Sequence, residues 1–203
     1  MDNFFNKFRV TLSHIFFITI LSICFLSLIF ESIAYRDFYF GSFVYLCLYA
    51  ALYVAFIFHC KNGNRVLLVT FMAVFAALNL LNPFIGLQGF GDVAVQFDGN
   101  VALGLAYILN ALIAIALFAV LVLYFIKKLA NLNIMDNIIK LVLLICMGVC
   151  VLYFILLFIG LLIMMIDAGN GLFWYQMLLP IQICACLGVL LVNYNVLENK
   201  ASE

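Results

Sequence analysis

The sequence predicts an all-α integral membrane protein, a bundle of six transmembrane helices arranged as three consecutive hairpins. Three observations carry that prediction. The 203 residues are 69% hydrophobic and only 9% charged, whereas a soluble domain carries about 25% charged residues. The apolar residues fall in continuous runs near the ~20 residues a helix needs to cross the hydrocarbon core. The cationic residues fall almost entirely in alternate loops, the pattern that fixes orientation in a bilayer.

The expected spans are residues 10–30, 38–58, 66–81, 101–126, 141–166 and 172–192. Their runs are continuous rather than alternating, and too long for barrel strands. The first run is about 21 residues, longer than the roughly 7–15 of a signal-peptide core. It therefore reads as a true span, and Glu31 stands against cleavage at the Ser32-Ile33-Ala34 triplet that follows. The third run is short, because Asn82-Pro83 ends or kinks a helix there. The fourth and fifth runs exceed the core thickness, so tilt or protruding ends are expected. The stretch 82–100 reads as an interfacial loop on the outer side, with a re-entrant turn as the alternative. Residues 127–140 read as a short segment at the headgroup level.

Lys7, Arg9, Lys61, Arg65, Lys127, Lys128, Lys140 and Lys200 lie on one side of this arrangement, and Arg36 alone on the other. The richer side is cytoplasmic, so both termini are expected there. A bacterial inner membrane is the expected location. Trp174 and Tyr175, with Tyr35, Tyr39 and Tyr124, fit an aromatic belt at the span ends. Asp98-Gly99-Asn100 and Asp167-Ala168-Gly169-Asn170 precede spans four and six, where Asp and Asn suit helix N-caps.

The formal net charge is zero, and nothing in the charge pattern points to nucleic acid. The seven cysteines lie in or beside apolar runs, which argues against a disulfide framework. No GxSxG, HExxH, P-loop or GxGxxG pattern occurs, so an enzyme is not expected. His14 and His59 fall near the same membrane face, yet no carboxylate accompanies them. Neither haem nor any other cofactor is expected.

Uncharged polar groups inside the spans are the candidate functional residues. Tyr45, Tyr49 and Tyr53 repeat every fourth residue and so share one helix face. Tyr107 and Asn110 lie one turn apart on span four, and Gln182 follows Pro180 on span six. A cavity lined by Tyr49, Tyr53, Tyr107, Asn110 and Gln182 would suit a small, largely uncharged ligand. Interhelical hydrogen bonds are the competing role, since an amide in lipid needs a partner. Ala102, Ala106, Asn110 and Ala114 form a small-residue stripe on span four, and Cys47, Ala51 and Ala55 another on span two. Such stripes let a second helix approach closely. The sequence thus points first to a non-catalytic membrane subunit that packs against other membrane proteins or against itself. A small transporter, channel or substrate-binding component is the alternative.

Overall fold

The computed structural model describes residues 2–38, 40–59, 70, 73–75, 77, 99–130, 135–168, 174 and 176–198. Every regular element among them is helical: α1 (Asp2–Tyr35), α2 (Phe40–His59), α3 (Val101–Ala130), α4 (Met135–Ala168) and α5 (Leu178–Glu198). Among the described residues four segments are long and apolar enough to cross a membrane: Lys7–Ala34, Phe40–Phe58, Val101–Ile126 and Asn137–Ile166. A fifth apolar segment, Leu178–Tyr194, is shorter. The outward faces carry large apolar side chains such as Ile18, Phe25, Ile115, Leu144, Ile155 and Ile166. Helices of this length with this exterior are those of a helical membrane protein, because water would not solvate such a surface. The expected third span falls largely outside the described residues, though 73–75 is helical. Loop 82–100 falls outside them as well, apart from its last two residues.

Three boundaries differ from expectation. The 127–140 segment is not a separate interfacial piece. α3 continues through Lys127 and Lys128 to Ala130, and α4 begins at Met135. The polar residues Asp136, Asn137 and Lys140 therefore occupy the first turns of α4. An acidic group there suits the positive end of the helix dipole. The last span starts at Leu178 rather than Leu172. Pro180 explains the shift: proline is tolerated in a first turn, where its missing N–H has no partner to lose. Tyr124 was expected in the aromatic belt, but it is buried, on the inward face of α3.

The chain forms two compact units. The first comprises Met1–Phe71 with Ile181–Glu203 and holds α1, α2 and most of α5. α1 ends at a tight turn in which Arg36 adopts a left-handed backbone, φ 54°. Asp37 then accepts a hydrogen bond from the Phe38 amide at 2.7 Å. The second unit, Met72–Pro180, is built on the α3–α4 hairpin. Asn100 caps α3, its Oδ1 accepting from the Leu103 amide at 3.2 Å. Its Nδ2 donates to the Gly160 carbonyl of α4 at 2.7 Å. The start of α3 thus meets the end of α4, and the two run antiparallel.

Both units bury residues at alternating spacings of three and four, the repeat of left-handed helix packing. On α3 the buried set is Leu103, Ala106, Asn110, Ile113, Leu117, Val120 and Tyr124. On α4 it is Ile139, Leu143, Cys146, Cys150, Tyr153 and Leu157. Gly160 continues this second series. A methyl group there would sit 2.9 Å from the Leu103 backbone nitrogen, so only glycine admits the close approach of α3. Tyr153 is fully buried on this seam. Beyond the seam, the Trp174 indole donates to Met165 Sδ at 3.3 Å and its ring lies 5.7 Å from that of Phe158.

Candidate functional site

The polar groups of the first unit lie on the facing sides of its helices, at four levels along α1. At the N-terminal end of α1 they form a closed knot. Asn193 of α5, 1% exposed, accepts from Arg9 at 3.0 Å. Its amide nitrogen donates to Ser13 at 2.8 Å and to the Val189 carbonyl at 2.8 Å. Ser13 in turn donates to the Arg9 carbonyl at 2.9 Å. These bonds tie the first turns of α1 to the last turns of α5, so the two helices are antiparallel. α1 also approaches α5 closely at Gly188, where an added methyl would meet the Phe16 ring at 2.7 Å.

Next to Ser13 on α1, His14 Nδ1 lies 3.2 Å from the Tyr53 hydroxyl. The His14 ring meets Tyr53 and Phe56 edge-on, at 5.7 Å and 5.5 Å. Phe17 stacks on Tyr53 at 5.2 Å and packs on Phe56 at 5.1 Å. This layer is aromatic. The pairing of His14 with His59 lies outside the described side chains.

The third level joins all three helices. Tyr49 is 1% exposed. The Cys186 thiol donates to its hydroxyl at 3.8 Å, and the Gln182 side chain bonds to it as well. Gln182 Nε2 also donates to Cys24 Sγ at 3.5 Å. Bonds to thiols at these lengths are weak. The fourth level is the pair Glu31 and Ser42, whose hydroxyl donates to the carboxylate. Ser27 and Tyr45, both half-buried, occupy the seam positions between these two levels. From Arg9 to Glu31 the ladder covers about 33 Å of helix.

Three of the five residues singled out in the sequence thus fall in the first unit. Tyr49 and Gln182 meet there, while Tyr53 is turned to His14. The tyrosine face of α2 points inward rather than to the outer surface. Tyr107 and Asn110 belong to the second unit, where both are buried and neither is without a partner. The small-residue stripes divide. Ala106 and Ala114 of α3 are buried, whereas Cys47 and Ala51 of α2 are exposed.

Sequence reading missed Asn193, Ser13 and Glu31. Asn193 sits at the polar margin of the last span, where an amide carries no distinguishing signal. Ser13 and Glu31 were legible only as members of one heptad seam with Phe17, Ile20 and Cys24. The described residues contain no group of three or more His, Cys, Asp or Glu side chains placed to hold a metal ion. Comparison with protein-family models, with curated proteins and with solved structures finds no match.

Proposed function

We propose that this protein is a six-span, non-catalytic subunit of a larger membrane assembly, with both termini on the cytoplasmic side of a bacterial inner membrane. The path of the chain supports six spans by parity. α1 runs antiparallel to α2, through Glu31–Ser42 and His14–Tyr53, and antiparallel to α5, through the Asn193 knot. α2 and α5 therefore run the same way, and an odd number of crossings must separate them. α3 and α4 supply two. The apolar run 66–81 is the natural third. The placement of eight of the nine Lys and Arg residues then sets the cytoplasmic side.

The observation that carries the subunit reading is the outward face of α2. A helix facing lipid gains most from large apolar side chains, and α2 turns Val44, Leu48 and Val54 outward, but among them it also exposes the small side chains Cys47 and Ala51. Small residues on an outer face permit close approach of another helix, from a second copy or from a different membrane protein. A photo-reactive residue at position 51 in the native membrane tests this. It should give a protein adduct, while the same residue at Ile18, on the exposed face of α1, should give lipid adducts. Lipid adducts at both positions would contradict the reading.

A second reading, a transport or substrate-binding component for a small ligand, is favoured by the inward Tyr49–Gln182 contact. Those two residues and Tyr53 would face the ligand, with Tyr107 and Asn110 as further candidates in the second unit.

A further inference from the structure

α2 carries two seams. The inward one holds Ser42, Tyr49, Leu52 and Phe56, all buried. On the opposite side Phe40, Val44, Cys47, Ala51, Val54 and Phe58 follow one another in steps of four and three, and all six are exposed. That spacing is the repeat of left-handed helix packing, the same one that joins α3 to α4. Fluid lipid tails impose no order of sizes along a helix, but this seam has one. Its ends are phenylalanines, 67% and 73% exposed, the most exposed large side chains of α2. Valines come next, and the two smallest of the six side chains sit in the middle.

This profile suits a helix that crosses α2 at mid-membrane. Phe40 and Phe58 are about 27 Å apart along the axis, so Cys47 and Ala51 lie at the centre of the span. Two straight helices crossing at about 20° are closest at the crossing point and diverge toward both ends. Small side chains permit the close approach, and long ones fill the widening gap. The seam is matched to itself. About a two-fold axis along the membrane normal each residue meets its own copy, so small faces small and large faces large. Such an axis would set like charges against each other, but none of the six residues is charged. It also needs every copy in one orientation, which a single sequence obtains from its cationic loops. The two phenylalanines expose roughly 280 Å² per copy, taking about 200 Å² for a whole side chain. With the four residues between them, a pair would bury on the order of 1,000 Å², near the lower limit for a specific interface. The association is therefore expected to be reversible.

We propose that the outer seam of α2 is a homodimer interface, at which α2 of a second copy of this chain crosses in parallel over Cys47 and Ala51. This inference rests on the subunit reading and names the partner at that face. It does not depend on any ligand.

Oxidative cross-linking of the full chain in its native membrane, with copper phenanthroline and oxygen, tests it. Across the axis the two Cys47 thiols come within reach of a disulfide. The unaltered chain should yield a linked dimer, and Cys47→Ser should abolish it. A second measurement counts subunits by single-molecule photobleaching in liposomes of increasing lipid content. Ala51→Leu should raise the protein-to-lipid ratio needed for half-association about tenfold, because the larger side chain holds the helices apart. Ile18→Leu, on the exposed face of α1, should leave it unchanged. The Cys47 link is read in the unaltered chain, so it decides the matter even where Ala51→Leu fails to fold. No link at Cys47, with a photo-reactive residue at position 51 capturing a different protein, would overturn the second copy and leave the subunit reading standing. No link, with only lipid adducts at position 51, would overturn both. A dimer that lacks the Cys47 link and is indifferent to Ala51→Leu would put the contact on another face and overturn the proposal as well.

Discussion

Replacing Asn193 by leucine removes the knot that joins the two ends of the chain. Asn193 makes three hydrogen bonds, of which two cross from α5 to α1. The third returns to the Val189 carbonyl of its own helix and contributes little, because that carbonyl also serves the helix ladder. Interhelical hydrogen bonds in membrane proteins average about 0.6 kcal/mol and reach ~1.7. Two of them give a cost of about 1–3 kcal/mol. Arg9 is half-buried near its helix end, so its charge regains water and adds no stranded-ion penalty. Leucine keeps the branched shape and the number of heavy atoms but is bulkier, so it leaves no cavity and adds a packing cost that the double-mutant cycle removes. Reversible unfolding of the full chain in bicelles measures the loss. A double-mutant cycle with Ser13→Ala isolates the bond between them and should return a coupling of about 0.6–1.7 kcal/mol. A loss under about 0.5 kcal/mol, with the two substitutions strictly additive, would refute the claim that this knot fastens α1 to α5.

Other perturbations follow from the same geometry. Gly160→Ala pushes a methyl into the Leu103 backbone and should destabilise the α3–α4 hairpin by about 1–3 kcal/mol; Gly148→Ala, with nothing within 4 Å, serves as the control and should not lower the melting temperature. Asn100→Ala removes both the cap and the bond to Gly160, and should cost about 1–3 kcal/mol in the same assay. Arg36→Gly relieves the left-handed backbone at φ 54° and should raise stability by about 0.5–1 kcal/mol; a drop would mean that the turn depends on the arginine side chain.

Periodicity and composition made most of the fold readable. Lipid-length helices at α1 to α4 follow from apolar run length. The inward tyrosine face of α2 follows from residues spaced by four, and the Asn100 cap from residue type and position. The failures share one physical cause, which is that partners distant in sequence leave no local trace. Gly148 and Gly160 look alike along α4, and only the approach of Leu103 distinguishes them. Asn193 finds Ser13 across 180 residues of chain. Cys47 and Ala51 share a pattern with Ala106 and Ala114, yet the first pair faces outward and the second inward. Pro180 falls inside the apolar run 172–192, and its place in the first turn of α5 is not readable from that run. Glu31 lies just outside the expected span 10–30, although α1 runs on to Tyr35, because hydropathy falls before the helix ends.

The number of membrane crossings fixes which loops share a side of the bilayer. Paired alkaline phosphatase and fluorescent-protein fusions after Asn62, Asp92 and Glu203 count them directly. Fusions after Asn62 and Glu203 should be fluorescent and lack phosphatase activity, placing both in the cytoplasm. The fusion after Asp92 should show the reverse. Asn62 and Asp92 on the same side would remove the third crossing, and Glu203 opposite Asn62 would break the parity on which the six-span reading depends.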